Sequence, residues 1–539
     1  MKDLNETFSP ALSFVLKRNA HPVNSSRHIL CICPRYAPSF GTFHHAYPLM
    51  PGVKALMPAQ GLLVIAAYLP RQWHVRVIDE NVRLAEDVDY KWADAVLMTG
   101  THVQRPFIDK ITRTAHAHGK LTVLGGPSVS ASPEYYPNID VLHIGELGDA
   151  TDALIELLDR MPERPEHQIR LETQERTPLE DFPLPAYEYL DASNYFLNNV
   201  QFSSGCQYLC EFCDIPELYG RVPRVKSPSR LLAELDWLVE NGARGAIYFV
   251  DDNFIANRRA TKEFLKHLVE WQGSRGYPVR FTCEATLNLA RYPDILKLMR
   301  EAGFNTVFCG VESPEPLAIK AIRKQQNLRV PMIEAVQTLN HFGIEMAAGI
   351  ILGLDTDTPE TVDRVLEFIE SSQIPMLTIN LLYALPKTPL YRRLASEGRL
   401  DSTPGRVSNV RFKLPYETVV EMWLKCLAEA YSPEKLMSRL EYQTRATYPN
   451  RISPKQKVSP SMVLYGLRIL KRVLWQVGLM SEYKRSYWKV CGPLLRSGRI
   501  EELLHIGIVS KHLIRFTQDC LSGRGEASFY ANPNMDSSP

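Results

Sequence analysis

SSGCQYLCEFCDIPELYG, residues 203–220, sets Cys206, Cys210 and Cys213 in a C-x3-C-x2-C run directly after a short apolar stretch, and no fourth cysteine follows. A structural zinc ion asks for four closed ligands, usually as two CxxC-like pairs. Cys283 or Cys309 could supply a fourth, but neither has a companion. Bacterial ferredoxin spacing, C-x2-C-x2-C-x3-C-P, is not met. Unrelated buried thiols are the plain alternative. Three thiolates on a four-iron cluster would leave one iron open to a substrate, and that gives the missing cysteine a physical purpose.

The surrounding chain is ordinary in bulk. Its 539 residues are 45% apolar and 23% charged, with a net charge of +2, which suits two or three soluble domains with real cores. Ten cysteines are too few for a disulfide-stapled secreted scaffold. MKDLNETFSPALSFVLKR at the start lacks the basic run and apolar core of a leader. The longest apolar run, GLLVIAAYLP at 61–70, is too short to span a bilayer. These features indicate a cytoplasmic protein in a reducing compartment.

Upstream and downstream of the cysteines the pattern is α/β. A loose polar arm is expected over 1–26. Over 27–160, HILCIC, VRVIDE, AVLMTG, LTVLGG and VLHIG alternate with helical segments, as in a doubly wound, Rossmann-like parallel sheet. Residues 161–195 are rich in Pro and Glu and suggest a linker. Over 196–415, VQFSSG, AIYFVDD, VRFTCEA, TVFCGVE, EMAAGIILG and MLTINLLYALP give six βα units, a partial barrel rather than an eightfold one. Residues 416–539 show helical periodicity.

C-x3-C-x2-C with an aromatic, Phe212, just before the last cysteine, after the first strand of such a barrel, resembles the radical S-adenosylmethionine (SAM) enzymes. The resemblance implies a [4Fe-4S] cluster on Cys206, Cys210 and Cys213, whose open iron chelates SAM and whose electron cleaves it to a 5'-deoxyadenosyl radical. Such enzymes take their electron from a flavodoxin- or ferredoxin-type donor. Barrel sites lie at the C-terminal strand ends, and the residues there are Asp251, Asp252, Glu284, Glu312, Gly349 and Gly353. The acids would bind the ammonium or ribose of SAM, and the glycines would allow close approach to adenine. Helix capping, exposed loop acids and tight turns are the plainer explanations.

A doubly wound sheet ahead of this barrel resembles the cobalamin-binding domain of the B12-dependent branch. LMTGTHV, VLGGPSVS and HIGELGDA place Thr99, Thr101, Gly125, Gly126, Gly145 and Glu146 where those domains surround the cobalamin tail. Any Rossmann-like sheet needs glycine at such turns. The D-x-H-x-x-G motif that supplies a histidine to cobalt is missing, and His44, His45 and His143 do not recreate it, so cobalt without a histidine ligand is expected. CPRYAPSFGTFHHAYPLM, CDIPELYGRVPR, YFVDDNFIANRRA and GIILGLDTDTPETVDRVLEFIE look like the hopanoid C-2 methylases. That likeness implies methyl transfer from SAM through methylcobalamin to C-2 of the hopanoid A ring. This carbon has no acidic proton or lone pair for acid–base chemistry to use. Porphyrin or bacteriochlorophyll methylases and oxidative cyclases share the scaffold. A non-catalytic iron–sulfur or zinc module is the third reading.

The tail adds a hint about partners. Between 454 and 499 ten Lys or Arg face one acid, Glu482. In SMVLYGLRILKRVLWQVGL, Val463, Leu467, Leu470, Leu474 and Val477 fall on one helical face, with Arg468, Lys471 and Arg472 away from it. That pattern suits peripheral docking on the inner face of a membrane. A packed helix with a solvated basic face is the plain alternative, and nucleic acid is disfavoured.

Overall fold

The computed structural model describes residues 23–160, 163–401, 403, 406–452 and 460–524. Most of the arm expected over 1–26, and Lys455 and Lys457, lie outside the described residues. Residues 23–26 are pinned rather than loose. The Asp159 carboxylate accepts from the backbone N–H groups of Asn24 (2.9 Å) and Ser25 (3.0 Å), and the Trp73 indole donates to the Ser25 carbonyl.

The apolar runs near the start form β1 (His28–Cys33), β2 (His74–Asp79), β3 (Ala95–Thr99), β4 (Leu121–Gly125) and β5 (Val141–Ile144). A further strand, β6 (Ile169–Glu172), comes from the stretch expected to be a linker. Its alternating exposure, one side outward, is what made it read as polar loop. All pairings are parallel, in the order β2-β1-β3-β4-β5-β6. Alternate residues of β1 enter separate cores, Ile29, Cys31 and Cys33 on one face and Leu30 and Ile32 on the other. This two-sided burial explains the continuous apolar runs. The order reverses between β1 and β3, and a doubly wound sheet binds ligands at the strand ends beside such a reversal.

The second sheet begins with β7 (Leu197–Val200), followed by a small antiparallel hairpin, β8 (Ser203–Ser204) and β9 (Arg224–Val225), that brackets the cysteine loop. Then come β10 (Ala246–Phe249), β11 (Arg280–Glu284), β12 (Phe304–Glu312), β13 (Glu345–Leu352) and β14 (Met376–Leu381). The main strands pair in parallel as β14-β13-β12-β11-β10-β7. The first of them is LNNV, three residues earlier than the expected VQFSSG. Asn198 and Asn199 are buried because their amides bond to the carbonyls of Ala192 (3.3 Å) and Pro58 (2.8 Å), so a core strand carries a polar signature.

Six strands leave a seam between β7 and β14. At β14 the Tyr431 hydroxyl and the Trp423 indole satisfy the backbone of Leu377 and Ile379, which blunts an otherwise open edge. Aromatic rings bridge the gap. Phe196 stacks on Phe43 and Phe43 on His512, while Phe40 lies against both Phe516 and Tyr431. His512 and Phe516 belong to the helix Ile500–Leu521, which thereby closes the side of the barrel.

The helix Pro460–Val473 continues as a π turn over Leu474–Leu479. Its packed stripe is Ile469, Val473 and Val477, whereas Val463 and Leu467 are 50% and 55% exposed. The single apolar face expected from the sequence is therefore two: one buried, one outward with Leu464, Trp475, Leu479 and Met480. Arg468, Lys471 and Arg472 are exposed. No helix among the described residues is long and apolar enough to cross a membrane.

Candidate active site

The C-terminal ends of both sheets face one cavity of about 1650 Å³, larger than the 300–1,000 Å³ usual for a single small ligand. The cysteine loop closes one side. At its start Gly205 adopts φ +93°, and a Cβ there would sit 2.9 Å from the Gly220 carbonyl oxygen. At its middle the Glu211 carboxylate holds Arg393 through two bonds (2.7 and 3.1 Å), and the Glu211 backbone bonds to Ile322 and Leu390. The loop is thus shaped ahead of its first thiol and fastened between its second and third. Cys213 and Phe212 line the cavity; Cys206 and Cys210 lie behind them. Gln326 donates to the Cys210 sulfur at 3.3 Å. Burial raises the pKa of all three thiols, and that of Cys213 furthest. A ligand metal is what deprotonates thiols in such surroundings. Among the described residues no three Cys, His, Asp or Glu side chains meet closely enough for one metal ion; in a cluster each thiolate binds a different iron.

The strand-end acids divide by role. Asp251 lines the cavity but is buried, and it accepts from the backbone N–H of Phe202 (3.1 Å) and from the backbone and hydroxyl of Ser203. Burial pushes it up to about 7 against those bonds. Asp252 accepts from the Gly205 N–H at 2.9 Å, and burial, aided by the Asp251 charge, takes it to about 7 too. Glu284 accepts from the Tyr248 hydroxyl at 2.7 Å, its pKa raised by burial. Glu312 stands at φ +66° and pairs with Lys324, whose ammonium is 5.7 Å from the Phe212 ring. Gly349 leaves room beside them, since a Cβ would come 3.2 Å from the Phe308 ring. Gly353 does not line the cavity. Its φ of +89°, its N–H to Asp357 (2.7 Å) and the Phe412 ring 2.5 Å from any Cβ make it a tight-turn glycine. The close approach expected of adenine belongs to Phe412 instead.

Across the cavity, Thr99, Thr101, Gly125, Gly126, Gly145 and Glu146 all line its wall. Gly126 has φ +96°, and a Cβ would lie 2.5 Å from the Thr99 hydroxyl. Glu146 is spoken for. It holds Arg224 (2.6 Å), Arg176 (3.2 Å) and the Ser204 hydroxyl (3.3 Å), tying the first sheet to the hairpin that carries the cysteines. His143 is buried against Thr151 (2.8 Å), and His44 and His45 sit at the barrel seam. Sequence reasoning missed Gln60, Lys324 and Gln326. Gln60 lines the cavity at 8% exposure with neither amide atom bonded among the described residues. A lone glutamine opening the apolar helix Gln60–Tyr68 was its only signal.

Residues 200–369 match the Radical SAM superfamily and residues 50–155 the B12 binding domain; 388–526 match a domain of unknown function, DUF4070. The chain is 52% identical to hopanoid C-2 methylase of Rhodopseudomonas palustris (strain TIE-1) over 509 residues, 94% of this chain and 97% of that one. It belongs to the B12-dependent radical SAM methyltransferases. An uncharacterized methyltransferase of Synechocystis, sll1242, is 34% identical over 87% of each chain. The fold is that of the cobalamin-dependent SAM radical enzyme OxsB, with a TM-score of 0.59 over 94% of this chain and 83% of that one at 16% identity.

The family's cofactors are a [4Fe-4S] cluster, SAM and cobalamin, and the residues suit them. Three thiols on a fastened loop, Cys210 buried and Cys206 and Cys213 half-buried, are a cluster's donor set. The unpartnered Gln60 amide faces a cavity of a size to take cobalamin with SAM, and the corrin rim is itself rich in amides.

Proposed function

We propose that this methyltransferase acts on C-2 of the hopanoid A ring. The observation that carries the reading is the 52% identity, over nearly the whole of both chains, to a hopanoid C-2 methylase. When bound, the cofactors supply a one-electron means of removing hydrogen from an unactivated carbon and a methyl group to replace it. The chain's own residues have the remaining tasks. Cys206, Cys210 and Cys213 hold the cluster, with Gln326 and Lys324 tempering the charge of its thiolates. Asp252, Glu284, Glu312 and Gly349 hold SAM. Thr99, Thr101, Gly125, Gly126, Gly145 and Gln60 hold cobalamin. Asp251 and Glu146 position the cysteine loop, and the apolar part of the cavity wall limits water at the reacting carbon.

Labour is divided between segments 27–160 for cobalamin, 196–415 for SAM and cluster, and 416–539 for closure and docking. A flavodoxin- or ferredoxin-type protein delivers the electrons. The outward apolar strip of the helix Pro460–Val473, with Arg468, Lys471 and Arg472 exposed beside it, docks the enzyme peripherally on the inner face of the membrane, where its lipid lies. Deleting the gene and profiling the cell's lipids and pigments by mass tests the substrate. Loss of 2-methylhopanoids, restored by the intact gene and not by a Cys210→Ala copy, is expected. Unchanged hopanoids with an altered pigment would replace the reading with a porphyrin-type substrate.

A further inference from the structure

The barrel is hollow, and its lumen has a second mouth. In a closed eightfold barrel Val, Ile and Leu fill the inward positions. Here the small Ala246, Thr282, Thr306, Ala347, Gly349 and Thr378 alternate with the larger Tyr248, Phe308 and Met376, and all line the cavity that also holds the strand-end acids. Along β14 the outward Leu377, Ile379 and Leu381 are buried while Met376, Thr378 and Asn380 stay half-exposed. The accessible side of the strand is therefore its inner side. The cavity runs on past the N-terminal strand ends, at Gly245, Arg280 and Asn305, to Arg451, Arg499 and Glu501, and Glu501 is exposed to solvent. Leu504, Ile508, Val509 and Leu513 of the helix Ile500–Leu521 supply the apolar wall at the seam. That helix lies in the region matching a domain of unknown function.

We propose that this lumen is the substrate channel. An amphiphile with a rigid apolar body enters through the base with its apolar end first and rests its polar end on Arg451, Arg499 and Glu501. The inference rests on the reading of the substrate as a polycyclic lipid and adds its route and orientation. Three observations point this way. The nine residues of β12 span about 30 Å at roughly 3.3 Å each, room for a fused-ring body below the strand-end acids. The lumen wall at the seam is apolar and the basal rim charged, the order of polarity along such a lipid. The base also adjoins the helix that carries the outward apolar strip. The Arg244 guanidinium lies 5.3 Å from the Tyr465 ring of the helix Pro460–Val473, and Arg244 immediately precedes Gly245 at the basal end of β10. A lipid leaving the bilayer beside that helix has the basal mouth next to the helix's packed side, whereas the opposite end of the lumen is walled by both cofactor-binding sheets.

Photo-crosslinking of the holoenzyme tests the route. The probe is a hopanoid bearing a diazirine at the end of its side chain, remote from the A ring. Label is expected on peptides containing 451–452 or 498–505, competed away by plain hopanoid. Ala246→Trp, which plugs the lumen near its base, should cut labelling and methylation roughly tenfold or more, as overfilling an apolar pocket does, at wild-type iron and cobalt content. Ala246→Leu is the milder variant should the larger one not fold. Label instead on 34–61 or 99–104, or undiminished methylation in a folded Ala246→Trp protein, overturns the channel and leaves the substrate reading intact. A wild-type enzyme that neither takes the probe nor methylates hopanoid overturns both.

Discussion

Asp251 and Asp252 follow the same strand, β10, and are held differently. Both line the cavity, but Asp251 answers three donors from Phe202 and Ser203, just ahead of the first cysteine, and Asp252 answers one. Removing a buried acceptor costs about 1–3 kcal/mol for each donor left unpaired. Asp251→Ala should therefore loosen the loop and lower iron content on reconstitution, while Asp251→Asn, which keeps one carbonyl acceptor, should retain most of it. Asp252→Asn should keep the cluster and weaken SAM binding, read by titration. Cys206→Ala, Cys210→Ala and Cys213→Ala should each abolish the cluster. Cys283→Ala and Cys309→Ala should spare it, because both thiols lie in the barrel's packed core. The cysteines were legible because a cluster demands fixed spacing. Asp251 was visible as a strand-end acid, but its bonds to Phe202 and Ser203 were not, because only the fold brings those donors to it. Gln60 and Lys324 carry no spacing signature at all.

At the scale of elements, strands buried on both faces were readable from their apolar runs. β6 and β7 were not, since one is an alternating edge strand and the other satisfies buried asparagines against neighbouring chain. The helix Pro460–Val473 has apolar residues on two sides, so periodicity alone drew one face where there are two. Each basic residue near an anionic surface contributes about 1 kcal/mol. Changing Arg468, Lys471 and Arg472 to Glu should accordingly weaken binding to anionic liposomes steeply and lower methylation in cells, with SAM cleavage in the absence of substrate retained. Unchanged liposome binding would return this helix to a packing role.

The seam joins elements from three regions, and histidines lie in it. Burial, with the neighbouring His44 and His45, lowers His512 to about 3; burial, with His45, lowers His44 to about 4. Both are neutral in the fold, so the unfolded chain binds more protons between about pH 6.5 and 4. Their contribution is fully present above pH 6.5 and is lost as the pH falls toward 4. His512→Gln should flatten that acid-side loss by about one proton, measured as the slope of unfolding free energy against pH. A slope equal to wild type would show that these rings do not govern the seam.

Over the whole molecule, Glu146 binds the cobalamin-side sheet to the hairpin of the cysteine loop, and the helix Ile500–Leu521 closes a barrel too short to close itself. Neither link was legible in sequence, because each joins residues whose partners are set by how separate segments dock. The two α/β halves and their order were legible, since each repeats its own strand–helix pattern. Together they put one cavity between two facing rows of strand ends. On the proposed reading this arrangement methylates an unactivated ring carbon of a hopanoid. Its most direct test is to incubate the reconstituted enzyme and a reductant with a hopanoid and SAM bearing a fully deuterated methyl group, and to locate the label by mass spectrometry and nuclear magnetic resonance. The account predicts an intact deuterated methyl on C-2 of the A ring; a methyl on any other carbon, or SAM cleavage that leaves the hopanoid unmethylated, would contradict it.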